Sequence, residues 1–212
     1  MIGARSKRAL LYDEVRLALQ TGRYAPGDRI DPASLAVEFK TSTTPVRYAL
    51  YRLVGEGVID DDAREGFHVP LPTELGLRDQ YDWMQRLLLM ACDMDSAPKP
   101  GEPANLDVSE SGPRTDIAVI TARLFERIAA ATQHLSLFRA MRQANDRLGP
   151  TRWFKQGLIQ DAPEELAALY QCWQRRDTDA LKSAVIAYHE RRKQHVPQIV
   201  ALVSGAVPDV RD

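Results

Sequence analysis

The residues between positions 41 and 47 have the types and the spacing that suit contact with duplex DNA. Ser42, Thr43 and Thr44 stand just before a proline, which is how a helix commonly begins. One hydroxyl is expected to cap that helix, and the others could bond phosphate. Arg47 follows on the polar face, where a guanidinium in the major groove can donate to N7 and O6 of guanine, unless it is simply a solvated surface arginine. Tyr48 is expected to touch a base methyl or a phosphate, or to cover a neighbouring helix.

A second candidate contact follows after about twenty residues, at Arg64 and Gly66. A glycine at a hairpin tip lets the backbone approach a duplex closely, and an arginine suits a narrow minor groove. The alternative is a plain hairpin turn, because the neighbouring acidic residues repel phosphate. These acidic residues are Asp60, Asp61, Asp62 and Glu65.

No arrangement of residues predicts catalysis. The chain shows no nucleophile–base pair, no glycine-rich phosphate loop and no metal-ligand spacing. His189 and His195 are six residues apart and would point to different sides of one helix, so surface or core roles are expected for them and for His134. We therefore expect no enzyme, no cofactor and no bound metal.

The composition is that of an ordinary globular protein, with 44% hydrophobic and 27% charged residues. The net charge of -1 is unevenly spread, since the first 52 residues hold nine basic and five acidic side chains. This local excess mildly favours a polyanion-binding N-terminal part. Cys92 and Cys172 lie in apolar helical patterns and are expected to be reduced. Neither a secretory signal nor a membrane-length apolar run is visible, so a cytoplasmic location is expected.

The elements that position the candidate contacts follow from the spacing of apolar side chains. A first helix is predicted at about 7–21, and a short second one begins with Asp31 as its cap. A third helix follows residue 45, and two short strands are predicted at 58–60 and 66–69. The third helix carries a full apolar stripe of Val46, Ala49, Leu50, Leu53 and Val54. Three helices and a hairpin within about 70 residues are typical of a winged helix-turn-helix.

Helical patterns dominate the remainder of the chain. A long helix is predicted at about 73–94, whereas 96–114 is rich in proline and glycine and is expected to be an exposed or disordered loop. Further helices are predicted at about 116–131, 135–148, 150–159, 163–175 and 178–194. The fold class is therefore mainly α: a winged helix-turn-helix with three helices and a β-hairpin over residues 1–72, then an all-α helical bundle over 73–212.

Several short motifs in the N-terminal part resemble the GntR family of regulators. They fit without gaps from about Leu10 to Pro70 and include Pro26-Gly27-Asp28-Arg29-Ile30, Thr44-Pro45-Val46-Arg47, Glu56-Gly57 and Gly66-Phe67-His68-Val69. The all-helical remainder more loosely resembles the FadR-like branch, also called FCD, whose C-terminal domain binds a small acid and often a metal. The resemblance implies a transcription regulator that binds DNA.

The departures from the family pattern concern the residues that read bases. The family usually has an arginine where Thr43 stands and a glutamate where Tyr48 stands, and the FadR-like branch often has an arginine at the position of Ala33. Of that set only Arg47 remains. The resemblance therefore implies DNA binding but not the usual operator sequence.

The metal and effector site of the branch is expected to be degenerate. Its usual ligands, an aspartate and three histidines, align with Ala122, Glu126, Leu166 and a position one residue from His189. An arginine and a glutamate common in the branch align with Met84 and Leu88, which favours a more hydrophobic effector, or none. Arg123 and Arg139 could meet an acidic ligand, although surface salt bridges are the alternative. The candidate effector residues are Met84, Arg123, Glu126, Arg139 and His189.

The expected partners are double-stranded DNA, a second copy of the chain and a small organic effector, with no membrane. A homodimer that reads an inverted repeat, acting as a ligand-responsive repressor, accounts for both domains. Two alternatives stay open: a dimer whose helical domain senses nothing, and a protein–protein module in which the winged helix binds no DNA.

Overall fold

The computed structural model describes residues 7–94, 117–155 and 157–205. Its described residues are mainly helical, with one two-stranded hairpin near the N-terminus, which confirms the predicted fold class. The segment 96–114, for which a loop or disorder was predicted, lies outside the described residues. No helix that the structure describes combines the length and the apolar character needed to span a membrane.

The N-terminal part contains α1 (Lys7–Gln20), α2 (Pro32–Glu38) and α3 (Thr43–Gly55), followed by β1 (Asp60–Asp62) and β2 (Gly66–His68). Asp31 caps α2 as predicted, because its carboxylate accepts the backbone N–H groups of Ala33 and Ser34. The apolar faces of α1 and α3 pack on each other around a core that also takes in Phe67 of β2. The predicted stripe on α3 is buried at Val46, Ala49, Leu50 and Leu53 and partly buried at Val54.

The hairpin begins later than the sequence predicts. A strand was expected at 58–60, whereas β1 is Asp60–Asp62 and pairs antiparallel with β2 in the register Asp60 to His68. Val58 and Ile59 are instead buried in the core before the strand starts. These two residues are therefore apolar because they pack in the core, and not because they pair in a strand. A run of so few apolar residues cannot distinguish a strand from a buried loop in the sequence.

The helical domain is formed by α4 (Glu74–Asp93), α5 (Ile117–Ala131), α6 (Leu135–Phe154), α7 (Ala162–Gln174), α8 (Thr178–Gln194) and α9 (Val196–Gly205). These helices share one continuous hydrophobic core. The predicted inner face of α4 is fully buried, and it consists of Leu77, Tyr81, Met84, Leu88 and Ala91. The domain is thus a bundle with its own core, separate from that of the winged helix-turn-helix.

Residues 135–154 form a single helix where two were predicted. Pro150 lies inside α6 and cannot donate a backbone hydrogen bond to the preceding turn, a loss that usually kinks or ends a helix. Here Leu148, Gly149 and Pro150 are all buried. The α-carbon of Gln20 would lie 3.4 Å from a Cβ placed on Gly149, so α6 passes close to α1 at this point. Helix α6 thus continues through the proline at a buried position.

Helix α6 also joins the helical domain to the winged helix-turn-helix. Its Asp146 accepts hydrogen bonds from Arg16 Nε, at 2.7 and 2.6 Å to its two oxygens, and from Gln20 Nε2 at 2.5 Å. The carbonyl of Glu56, at the end of α3, accepts further bonds from Gln143 and Arg147 of α6. The two domains are therefore held together by a polar network that spans the ends of α1 and α3.

Gly22 makes the close approach of the two domains possible. It has a φ of 74° and lies directly against the indole of Trp153 in α6, so that a Cβ at this position would overlap the ring. The second residue after α1 must therefore be a glycine for both conformational and steric reasons.

Candidate nucleic-acid interface

The start of α3 presents its hydroxyl side chains to solvent. Ser42 is the N-cap residue but makes no side-chain capping bond, so the expected cap is not formed there. Ser42, Thr43 and Thr44 are all exposed. The positive end of a helix dipole together with exposed hydroxyls is a suitable arrangement for a phosphate oxygen. The hydroxyl of Ser42 is thus not used as a helix cap.

Arg47 lies one turn into α3, exposed and oriented by aromatic neighbours. Its Nη2 donates to the hydroxyl of Tyr51 at 3.2 Å. The guanidinium carbon is 5.8 Å from the ring centre of Tyr51 and 5.7 Å from that of Phe67. Because Phe67 belongs to β2, these contacts bring the arginine of the helix beside the hairpin. These contacts hold the Arg47 guanidinium between the helix and the hairpin.

The hairpin tip carries the second predicted pair of residues. Arg64 is exposed, and Gly66 has a φ of 72°, a conformation that favours glycine. The backbone N–H groups of Arg64 and Glu65 donate to Asp62, and they lower the pKa of its carboxyl. The carboxylate of Asp62 therefore shapes the turn that carries Arg64 and stays charged.

Arg29 is a further cation at this surface, which the sequence analysis did not single out as a contact. It is exposed and forms an isolated bridge with His68, so the segment before α2 lies along β2. Its guanidinium lies near Gly66, about 3.9 Å from where a Cβ would stand. Arg29 belongs to the Pro-Gly-Asp-Arg-Ile motif found in the sequence, but only the fold shows that this arginine lies beside the hairpin.

An open groove of about 650 Å³ runs beside α3. Ser42, Thr44 and Tyr48 line one side of it, with Leu10 and Phe39 among the other lining residues. Tyr48 is 62% exposed. The predicted contact residues on α3 thus share one accessible surface with the groove.

The predicted effector residues differ in their burial. Met84 and His189 are fully buried in the helical domain, whereas Arg123 and Arg139 are exposed. Glu126 lies at the domain interface, 3.1 Å from Arg16. Among the described residues, no group of three or more His, Cys, Asp or Glu side chains is placed to hold a metal ion. Any role of these five residues in effector binding stays a prediction.

The interior of the helical domain contains basic residues that the sequence analysis missed. Arg152, Lys155 and Arg192 are all at most 9% exposed. The sequence held one indication that Arg192 is buried. Val185, Tyr188 and His189 share a helix face by their spacing, and Arg192 lies on the same face.

The sequence matches known regulators over both parts of the chain. Residues 7–69 match the model for bacterial regulatory proteins of the gntR family. A curated relative, the Nta operon transcriptional regulator of Aminobacter aminovorans, is 25% identical over 195 residues, covering 88% of this chain and 91% of the relative. The matched segment 7–69 spans α1 to β2 and therefore contains every candidate DNA contact.

Solved structures show that the whole fold is shared. McbR/YncC of E. coli superposes with a TM-score of 0.70 at 20% identity, covering 92% of this chain and 99% of that protein. A GntR-type putative transcriptional regulator from Rhodococcus sp. RHA1 has the same TM-score at 15% identity, covering 96% and 100%. Residues 7–69 thus match the gntR-family model, and the fold of the described chain is the fold of these two solved structures.

Proposed function

We propose that the chain binds duplex DNA as a homodimer and represses transcription from an inverted-repeat operator in response to a small effector. The observation that carries the proposal is the exposed start of α3, where Arg47 is held between the helix and the hairpin. In this arrangement α3 would enter the major groove, and the hairpin would lie along the neighbouring minor groove or backbone.

Each predicted contact has a distinct role in this proposal. Arg47 would read a guanine, and Ser42, Thr43 and Thr44 would bind phosphate at the helix start. Tyr48 would touch a base methyl group, and Arg64, with the backbone at Gly66, would contact the minor groove. We add Arg29, because its guanidinium lies beside the wing.

The proposed dimer is supported by apolar side chains left exposed on the helical domain. Trp83 and Met90 are both 46% exposed and lie two turns apart on α4. Ile186, on the neighbouring helix α8, is 42% exposed. Large apolar groups of this kind are what an interface between two copies would bury.

The proposed response to an effector is supported by the contact between the domains. Asp146 and Glu56 tie the ends of α1 and α3 to α6, whose other face belongs to the core of the helical domain. A ligand that favours one position of α6 would thereby favour one presentation of α3.

The proposal is tested by selecting bound sequences from a random pool of duplexes with the purified full-length protein. We expect an enriched inverted repeat whose half-sites are about one helical turn apart, 10–10.5 base pairs, or a multiple of that. Enrichment of a sequence without two-fold symmetry would contradict the dimer, and no enrichment at low salt would contradict DNA recognition itself.

A further inference from the structure

Arg47 and Arg52 lie on the same helix but are held by groups of different kinds. Arg52 Nε donates to the carboxylate of Glu56 at 3.1 Å, four residues further along the chain. Arg47 Nη2 donates to the hydroxyl of Tyr51 at 3.2 Å, over the same spacing. The carboxylate neutralises the charge of Arg52, whereas the hydroxyl of Tyr51 orients the guanidinium of Arg47 and leaves its charge uncompensated.

Two aromatic rings also contact the Arg47 guanidinium. Its central carbon is 5.8 Å from the ring centre of Tyr51 and 5.7 Å from that of Phe67. Both distances lie within the range of about 6 Å over which a cation is attracted to an aromatic face. A single hydrogen bond would let the guanidinium rotate about it, and the two rings restrict that rotation. The three contacts together favour one orientation of the side chain.

Tyr51 is itself held by the hairpin. Its ring meets the ring of Phe67 edge to face, with the centres 5.1 Å apart and the planes at 69°, which is a favourable aromatic arrangement. Phe67 is 3% exposed, and its carbonyl accepts the backbone N–H of Ile30 at 2.8 Å. Tyr51 therefore packs on a firmly placed residue of β2 while its hydroxyl reaches Arg47.

The orientation of Arg47 matters because guanine recognition is directional. A guanidinium has five N–H donors, and the bond to Tyr51 takes one of them. A guanine needs two donors that point together at N7 and O6. A guanidinium that is already held in the matching direction loses less conformational freedom on binding, and it matches only a base that presents two acceptors in that direction.

We propose that Tyr51 is a positioning residue for sequence recognition, whose hydroxyl holds Arg47 in the orientation that selects guanine at one base pair of each half-site. Tyr51 acts through Arg47 and makes no base contact of its own. The proposal rests on the DNA-binding function proposed above and adds the residue that sets the strength of the guanine preference. Because Phe67 belongs to β2, the reading of the major groove by α3 would depend on the hairpin.

The exposure of Tyr51 leaves one rival role, a direct bond from its hydroxyl to a DNA phosphate. The side chain is 47% exposed, so its hydroxyl is accessible from solvent. A phosphate contact carries no sequence information, and its loss lowers the affinity for all duplexes alike. Loss of a positioning residue instead lowers the affinity for the preferred base pair alone. The two roles therefore differ in a measurable ratio.

The substitution Tyr51→Phe tests the proposal, because it removes the oxygen and keeps the ring on Phe67. The full-length protein is titrated at fixed salt with its selected operator and with an operator in which one guanine is replaced in one half-site. The replaced guanine is the one whose preference is lost in Arg47→Ala. The ratio of the two dissociation constants should fall about three- to tenfold in Tyr51→Phe, as expected for one lost hydrogen bond, while the affinity for the replaced operator stays within about twofold.

Tyr170→Phe is the matched control. On α7, Gln174 Nε2 donates to the hydroxyl of Tyr170 at 2.7 Å, so this bond also spans four residues of one helix. The control removes the same atom from the helical domain, and it should leave the ratio of the dissociation constants unchanged.

The double variant shows whether Tyr51 acts through Arg47. In Arg47→Ala, the further change Tyr51→Phe should alter neither dissociation constant, because the side chain to be positioned is gone. A loss that persists in Arg47→Ala, or that is equal for both operators, would show a direct DNA contact and overturn the positioning role. An unchanged ratio in Tyr51→Phe, or a tighter operator complex, would overturn it as well.

Nitrogen-15 relaxation of Arg47 Nε in the protein without DNA separates positioning from DNA recognition. The order parameter should be lower in Tyr51→Phe than in the wild type, and equal values would overturn the positioning role. A wild type that prefers no duplex would refute the DNA-binding function and, with it, the role of Tyr51 in specificity. A wild type that prefers its operator, together with a Tyr51→Phe variant of equal preference, would refute the positioning role alone.

Discussion

Removal of the negative charge at Asp146 should uncouple the two domains. Its carboxylate is 3% exposed and accepts three hydrogen bonds from α1, two from Arg16 and one from Gln20. The substitution Asp146→Asn keeps the size of the side chain and one acceptor oxygen. It leaves Arg16, which is 14% exposed, without its nearest counter-charge.

The free energy lost in Asp146→Asn depends on how deeply the ion pair with Arg16 is buried. Breaking a buried ion pair by removing one partner costs about 3–5 kcal/mol. The lower end applies here, because Glu126 remains 3.1 Å from Arg16. Burial raises the pKa of Asp146, whereas the hydrogen bond and the charge of Arg16 lower it. Part of the attraction between the two side chains is therefore spent on offsetting the desolvation of the carboxylate. We therefore expect a loss of about 3 kcal/mol of coupling between the domains.

A second pair across the same interface provides a matched control. Arg142 of α6 lies 3.3 Å from Asp13 of α1, and both side chains are about one third exposed. Asp13→Asn makes the same chemical change in a solvent-screened pair, for which a cost below about 1 kcal/mol is expected. The difference between the two variants isolates the effect of burial.

Urea unfolding with two probes measures the coupling. All three tryptophans, Trp83, Trp153 and Trp173, belong to helices of the helical domain, and Trp153 also contacts Gly22 across the interface. Fluorescence therefore follows the helical domain and its interface, while circular dichroism follows both domains. The two transitions should coincide in the wild type and in Asp13→Asn, and should separate in Asp146→Asn. If Asp146→Asn proves no more destabilising than Asp13→Asn, the reasoning from burial is refuted.

Three further predictions concern the helical domain. His189 is neutral when folded and has its pKa lowered to about 3, mainly by burial, so the unfolded state binds the extra proton as the pH falls below about 6.5. Stability should fall by about 1.4 kcal/mol between about pH 7.5 and about pH 5.5, and this part of the loss should be absent in His189→Leu. The full chain should sediment as a dimer at micromolar concentration, and Trp83→Glu with Met90→Glu should shift it to a monomer; a wild-type monomer would refute the proposed interface. Elemental analysis of protein purified without chelator should find no stoichiometric zinc, nickel or manganese, whereas near-stoichiometric metal that is lost in His189→Ala would show that the ligand set was misaligned.

The sequence predicts most of the fold because the helices are specified locally. The stripe on α3 and the inner face of α4 follow helical spacing, and the carboxylate of Asp31 fixes the start of α2. The errors occur where distant packing decides the structure. Val58 and Ile59 enter the core instead of a strand, and Pro150 lies buried within α6 where that helix passes α1.

The residues of the candidate site also divide into those that the sequence predicts and those that only the fold reveals. The exposed contacts of α3 could be predicted, because helix starts and polar faces are local features. The position of Arg29 beside the hairpin and the burial of Arg152 could not, since both depend on which distant elements pack together. A buried arginine has the same sequence signature as an exposed one, so composition and periodicity cannot distinguish them.

The most direct test of DNA recognition compares Arg47→Ala with Arg52→Ala on the selected operator at fixed salt. Both variants lose one positive charge from α3, but Arg52 lies over the ring of Tyr12 at 3.8 Å and bonds Glu56, away from the hairpin. Arg47→Ala should lose about 1–3 kcal/mol, roughly 5- to 150-fold in affinity, and should relax the sequence preference at one base pair of each half-site. Arg52→Ala should lose much less and keep the preference. Equal losses in the two variants, or an unchanged affinity and preference in Arg47→Ala, would contradict the assignment of α3 as the element that reads DNA.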